Sequence, residues 1–305
     1  MLTRGEPLVE LADPVKRWGG PPMDDQAKLG LWRRWRRTLM RALLSRVAKL
    51  YIAGDTIQDA RRVADTWAAR TMPSTLGYWD DSRDSPRDVA NQYLLALAEL
   101  RADEYLSIKL TALGYSETLL EELAERAAAK RIRIHFDAMD PDSADRTREA
   151  VTAFASRFAT RFPSGYTLPG RWQRSETDAA WAAELGLPVR VVKGQFPDDP
   201  SRDPRVGFER VMGVLAGRAS HVAVATHDVP LAVASLRLLA ERGTSRELEL
   251  LFGLPVRKSL RSAAEHGERV RVYIGYGRAH LPYAVPKVTE NPRMMLWLAR
   301  DLLRL

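Results

Sequence analysis

The residues of this 305-residue chain best suited to chemistry are the polar groups that close short apolar runs. Lys109 sits in Tyr105-Leu-Ser-Ile-Lys-Leu110, and Asp137 ends Ile132-Arg-Ile-His-Phe-Asp137. Arg190 and Lys193 flank two valines before Gly194, Thr226-His227-Asp228 follows Val222-Ala-Val-Ala225, and Tyr273 and Tyr276 lie in Val270-Arg-Val-Tyr-Ile-Gly-Tyr-Gly277. Taken singly, each has a structural reading: Lys109 paired to Asp137, His227 as a cap, Arg190 as a salt-bridge partner. Taken together, two lysines, an arginine, a histidine, an aspartate and tyrosines, with no cysteine and no carboxylate cluster, suit an anionic ligand better than a metal. The five histidines, at 135, 221, 227, 266 and 280, have no metal-ligand spacing, so no metal site is expected. There is also no Gly-x-Ser-x-Gly elbow for a hydrolase nucleophile. A large anionic cofactor that brings its own reactivity uses the basic groups best.

Such strand-end groups need a parallel sheet to gather them. Short β-type runs alternate with longer helical patterns, which is the signature of βα units. Eight strands are expected, at Leu50–Ala53, Ser74–Leu76, Tyr105–Leu110, Arg131–Asp137, Gly165–Leu168, Val189–Lys193, Val222–Thr226 and Val270–Ile274. Helical patterns lie at Thr56–Arg70, Pro86–Leu100, Ser116–Lys130, Ser143–Phe158, Glu176–Leu185 and Val229–Glu241, with Ser116 and Asp228 as N-caps. Eight strands close a barrel, at whose C-terminal mouth the polar groups would meet. A doubly wound open sheet uses the same units, but no Gly-x-Gly-x-x-Gly follows any strand, so the (β/α)8 TIM barrel is preferred. The expected division is an N-terminal helical segment, residues 1–49, followed by a barrel over residues 50–305.

An apolar fraction of 45% with 28% charged residues is that of a folded globular chain. The absence of cysteine removes disulfides, thiolate metal sites and thiol nucleophiles. No apolar run approaches membrane-spanning length, and the first residues lack the apolar core of a signal peptide, which sets a cytoplasmic location as the expectation. Lys and Arg exceed Asp and Glu by 47 − 39 = 8, with much of the excess in the segment Leu31–Arg46. That segment reads as a basic amphipathic helix, packing Trp32, Trp35, Leu39 and Leu43 on the protein or, alternatively, touching acidic lipid at the inner membrane face. No nucleic-acid motif accompanies it, so nucleic acid is not an expected partner.

In their order, these stretches resemble the proline dehydrogenase family: Tyr51-Ile-Ala-Gly-Asp55, Leu106–Leu113, Phe136-Asp-Ala138, Val189–Gly194, Ala225-Thr-His227, Glu247–Gly253, Val270–Gly277, and Tyr283 followed by Glu290-Asn291. The resemblance implies a distorted barrel with N-terminal helices and a C-terminal helix covering the pocket, FAD at the mouth, and hydride transfer from the carbon beside an amine nitrogen. It implies catalytic roles for Lys109, near the reactive flavin nitrogen, for Asp137, near the substrate amine, and for Arg190. Arg190, Val192, Lys193 and Gly194 would hold the edge of the flavin ring, Thr226 and His227 the rest of FAD. Ala138 and Glu290 complete the cofactor set, Glu290 by orienting the covering helix. Lys109, Leu251, Tyr273 and Tyr283 would surround the substrate.

The departures fall on substrate recognition. Pro286-Lys287 stands where the family carries two arginines, which leaves Lys287 as the anchor for any carboxylate, a single flexible charge in place of planar forks. Phe196 replaces a tyrosine, Pro169 a flavin-contacting glutamine, Gly275 a proline and Asp228 an asparagine. The expected function is an FAD-dependent oxidoreductase that converts L-proline or a related cyclic or secondary amine to an imine, with a quinone among the expected electron acceptors. The alternative is a non-catalytic, ligand-binding barrel that has lost its substrate grip.

Overall fold

The computed structural model describes residues 52–158, 164–194, 198–199 and 201–277. The N-terminal segment, Tyr51, Phe196, Tyr283, Lys287, Glu290 and the expected covering helix lie outside the described residues.

The order is α1 (Ile57–Ala68), β1 (Ser74–Tyr78), α2 (Pro86–Glu99), β2 (Tyr105–Ile108), α3 (Glu117–Lys130), β3 (Arg133–Phe136), α4 (Ala144–Phe158), β4 (Ser164–Pro169), α5 (Ser175–Glu184), β5 (Val189–Val192), α6 (Pro204–Leu215), β6 (His221–Ala225), α7 (Val229–Glu241), β7 (Ser245–Leu251), α8 (Arg257–Glu265) and β8 (Val270–Tyr276). The eight strands form one closed barrel in sequence order. Every neighbouring pair is parallel, including β1 with β8, where Gly77 stands opposite Gly275. Among the described residues no helix is long and apolar enough to cross a membrane.

Helix starts follow from local chemistry. Thr56 with Asp59 and Ser85 with Asp88 form capping boxes, in which hydroxyl and carboxylate each satisfy a backbone N–H that the first turn leaves open. The Ser116 and Asp228 side chains accept from Leu119 and Leu231, as expected for N-caps. α1 packs against β8 and β1, so a helix that precedes the barrel covers the seam where the barrel closes.

Strand side chains alternate between two faces. The outward set, including Leu106, Ile108, Ile134, Phe136, Val222, Val224, Leu248 and Leu250, is buried against the helices. The inward set is unusually polar: Thr75, Ser107, Thr167, Arg190, Glu247, Glu249 and Arg271 are all buried. Bonds between strands that are not neighbours can only run through the interior. Tyr105 of β2 donates to Glu247 of β7 at 3.2 Å, and Arg271 donates to the same carboxylate at 2.7 Å. The Arg271 guanidinium also lies over the Tyr105 ring, 3.6 Å from its centre.

Two strand expectations are corrected. Ile52 and Ala53 form no strand; Ala53 instead donates one backbone bond to Gly275, at 2.9 Å, in the bend before α1. The eighth strand is β7, Ser-Arg-Glu-Leu-Glu-Leu-Leu, whose glutamates hide it from a search for apolar runs. Its period is nonetheless two, because Glu247 and Glu249 face the interior charges while Leu248 and Leu250 face the helices.

Candidate functional site

A cavity of about 470 Å3 opens at the C-terminal ends of the strands. It gathers nearly every described candidate: Lys109, Asp137, Ala138, Arg190, Val192, Lys193, Gly194, Thr226, His227, Leu251 and Tyr273 all line it. Tyr276 does not. Three positions from Tyr273, it has the opposite parity, points outward, and donates to the Gln92 carbonyl at 3.2 Å.

At the floor, Arg190 reaches across the barrel. Its Nε and Nη2 donate to the two oxygens of Glu249 at 2.8 and 3.0 Å, and its Nη1 donates to Asp137 Oδ1 at 2.9 Å. Burial works against this charge, but Glu249 and Asp137 outweigh it and hold the guanidinium more firmly protonated than usual. Thr75 donates to Glu249 Oε1 at 2.9 Å, and Ser107 donates to Asp137 Oδ1 at 2.8 Å. Among the described residues, the second Asp137 oxygen, Oδ2, receives only the Tyr273 hydroxyl, at 3.4 Å. Burial, reinforced by the Asp137 charge, pushes the Tyr273 phenol far up, so it is a neutral donor at any physiological pH.

Lys109 is not the partner of Asp137. Its Nζ donates to Asp80 Oδ1 at 2.7 Å and to the Tyr78 carbonyl at 3.1 Å. On the opposite side of the mouth, Lys193 pairs with Asp228 at 2.9 Å, and Arg205 joins the same carboxylate at 3.2 Å. Asp228 also caps α7; although burial opposes its charge, Lys193 and the Leu231 N–H hold its carboxyl below the ordinary range. The expectation of a basic mouth with one aspartate and no carboxylate cluster is therefore revised. Its cations are matched by Asp80, Asp137, Glu249 and Asp228, of which Asp80 and Glu249 escaped sequence reasoning.

The segments after β4 and β5 brace one another. Gly170 N–H donates to Val192 O at 2.7 Å, Arg171 N–H to Lys193 O at 3.0 Å, and Arg171 Nε to Gly194 O at 3.0 Å. Gly194 has φ +88°, and a Cβ there would lie 2.8 Å from the Pro169 Cβ, so both conformation and packing require glycine. His227 joins two further loops: its Nδ1 donates to the Pro255 carbonyl at 3.2 Å and its Nε2 accepts from Leu251 N–H at 2.9 Å. It is not the cap of α7, a role Asp228 fills, and its ring lines the cavity. Among the described residues, no group of three or more His, Cys, Asp or Glu side chains could hold a metal.

A closed parallel barrel with charged pairs and a braced glycine turn at its C-terminal mouth defines the chain as a TIM-barrel protein with a ligand site where such barrels do their chemistry. No family model matches it. It is 25% identical over 283 residues to a protein from Bacillus subtilis subsp. natto named proline dehydrogenase 1, covering 84% of this chain and 91% of the relative. It is also 25% identical over 293 residues to the proline dehydrogenase of Deinococcus radiodurans, covering 87% of this chain and 93% of the relative. Among solved structures, proline utilization A from Bdellovibrio bacteriovorus superposes with a TM-score of 0.68 at 17% identity over 80% of this chain, which spans only 32% of that longer protein. The chain is thus similar, over most of its length, to proteins named proline dehydrogenase.

Proposed function

We propose that the chain is an FAD-dependent oxidoreductase that oxidises L-proline or a related cyclic or secondary amine to the corresponding imine. The reading rests above all on Asp137, which presents an under-used carboxylate oxygen beside a buried arginine at the floor of the cavity. The relatives named proline dehydrogenase support it.

The residues on the β5–β6 side fit a flavin. Pro169, Trp172 and Val192 offer an apolar bed, and the Gly194 turn brings backbone close to a ligand where a side chain would intrude. Arg190, Lys193 and Thr226 supply donors and positive charge around that bed. A flavin held there would supply the hydride-accepting chemistry. Pro169 places no side-chain donor at its position, so its contact with a ring bound there would be apolar.

Oxidation of an amine removes a hydride from the carbon beside nitrogen and a proton from the nitrogen, leaving a C=N bond. Asp137 Oδ2 is the group that would hold the amine N–H and orient that carbon. Arg190 fixes the direction of the Asp137 carboxylate through its bond to Oδ1. Lys109 and Leu251 close the sides of the same space, and the buried Tyr273 ring helps exclude water.

Absorption spectroscopy of the purified protein tests this, followed by anaerobic addition of L-proline and then of other cyclic amines. Flavin bands that bleach on addition of an amine support the reading. A colourless protein that takes up no added FAD overturns it and favours a non-catalytic barrel. A quinone is the electron acceptor this reading carries, reached by peripheral contact of residues 31–46 with acidic lipid; absence of vesicle binding at low salt would remove that contact.

A further inference from the structure

The Asp137 carboxylate stands on a polar stack that continues beneath it into the barrel. Side chains two apart on a strand share a face, so His135 of β3 lies one inward position below Asp137, and Gly165 of β4 one position below Thr167. His135 and Gly165 are register partners. A Cβ at Gly165 would lie 2.3 Å from His135 Nδ1 and 2.9 Å from its Cε1, so the glycine is what gives the imidazole its seat. From that seat the ring reaches Thr167: its Nε2 is 3.1 Å from the Thr167 hydroxyl, which in turn is 3.4 Å from Asp137 Oδ1. Both His135 and Thr167 are buried; Thr167 lines the cavity, whereas His135 does not.

The direction of these bonds is fixed from both ends. A guanidinium has no acceptor, so the Arg190 Nη1 contact at 3.5 Å makes the Thr167 hydroxyl an acceptor there. Asp137, in its ion pair with Arg190, only accepts, so the single hydroxyl hydrogen of Thr167 goes to that carboxylate. The remaining bond of the hydroxyl is to His135, which must then donate from Nε2. The opposite tautomer would bury an N–H at Nδ1, which has no partner among the described residues, and would turn the Thr167 hydrogen away from Asp137. Burial and the surrounding guanidiniums keep the ring neutral, so it carries this one N–H and no second.

Asp137 Oδ1 thereby accepts from donors on β2, β5 and β4: Ser107 at 2.8 Å, Arg190 at 2.9 Å and Thr167 at 3.4 Å. Together they set the side on which Oδ2 meets the cavity. From this chain of contacts, and resting on the amine-oxidising reading above, we propose that His135 is a positioning residue for that reaction: it donates to Thr167, which turns its own hydroxyl onto Asp137 Oδ1 and so holds Oδ2 at the amine.

Nitrogen NMR of the full chain with isotope-labelled histidine reads the tautomer, with His135→Phe identifying the resonances of this ring. The proton is expected on Nε2; a proton on Nδ1 overturns the inference. In the FAD-loaded chain, anaerobic flavin reduction by saturating L-proline, or pyrrolidine where that is faster, should slow about fivefold in Thr167→Val and equally in His135→Phe, which keeps a ring in the Gly165 seat but donates nothing. Calorimetric binding of the same amine should change less than about twofold, because Ser107 and Arg190 still hold the Asp137 charge. Thr167→Ser, which keeps the hydroxyl, should recover most of the rate. Adding His135→Phe to Thr167→Val should cost nothing more, since its action passes through the hydroxyl already removed. Additive losses, or binding that weakens as much as the rate falls, would make His135 a packing residue and overturn the inference. A parent protein whose flavin no amine bleaches would instead fail the oxidoreductase reading and take the positioning role with it, whereas the tautomer still decides whether the bonded chain exists.

Discussion

Arg190 and Glu249 meet through the interior of the barrel, from strands β5 and β7 that are not neighbours, by two bonds of 2.8 and 3.0 Å. Both side chains are almost fully buried, at 4% and 2% exposure. Breaking a buried pair leaves an uncompensated charge, which costs about 3–5 kcal/mol. Asp137 and Ser107 still accept or share the Arg190 fork after Glu249→Ala, so the loss should lie near the lower end, about 3 kcal/mol. Glu249→Gln keeps an acceptor for the guanidinium and should lose about 1 kcal/mol. Urea unfolding of the two variants checks both values, and equal losses would refute the charge-based account.

Asp137 separates stability from activity. Asp137→Asn preserves an oxygen for Ser107 and Arg190 but turns the under-used oxygen into a donor, which cannot accept an amine N–H. It also removes one of the two carboxylates that share a single guanidinium, so stability should hold or rise slightly. A hydrogen bond to a charged group contributes about 1.5–3 kcal/mol, so kcat/KM for the best amine should fall about 10- to 150-fold. Paired measurements of melting temperature and anaerobic flavin reduction separate the two effects; a variant that loses both equally would make Asp137 structural.

Most of the barrel is legible in the sequence because its outward strand faces are apolar and its helices carry caps. The site is legible only where polar residues end such runs, as Lys109, Asp137, Arg190 and Thr226 do. Glu249 lies within a strand whose inward face is charged, so apolar-run reasoning discards the whole of β7; period-two alternation across Glu247–Leu250 was the available signal. Trp79 and Asp80 follow a five-residue strand whose fourth residue is glycine, and no pattern marks them. Pairing choices were not legible at all: Lys109 with Asp80 and Asp137 with Arg190 depend on which strand ends meet across the mouth.

Acid should destabilise the fold in two stages. Burial and the neighbouring guanidiniums hold His135 neutral, with its pKa well below the ordinary value, so the unfolded chain binds a proton there that the folded one refuses. Stability from this source falls as pH drops below about 6.5, by about 1.4 kcal/mol per pH unit at most. Glu247 acts later. Burial opposes its charge, but His221 and Arg271 outweigh it and hold the carboxyl far below its ordinary range. Its contribution is therefore complete above about 4.3 and is lost as pH falls towards the depressed folded value. Unfolding free energies of the parent, His135→Gln and Glu247→Gln at pH 7.5, 5.5 and 3.5 check this: the first variant should flatten the upper stage and the second the lower.

Gly194 tests whether the turn after β5 shapes the cofactor bed. Alanine at φ +88° carries a conformational cost of about 1–2 kcal/mol, and its Cβ would stand 2.8 Å from the Pro169 Cβ, so the turn or the proline has to shift. Arg171 holds that turn through the Lys193 and Gly194 carbonyls, and any shift is passed to the Lys193 side chain and its Asp228 partner rather than absorbed locally. Gly194→Ala should therefore lower FAD content on purification and weaken FAD binding by tenfold or more, while Gly213→Ala, at a helical position with nothing within 4 Å of the added Cβ, should leave it unchanged. Equal FAD affinity in the Gly194 variant would place the flavin bed elsewhere in the mouth.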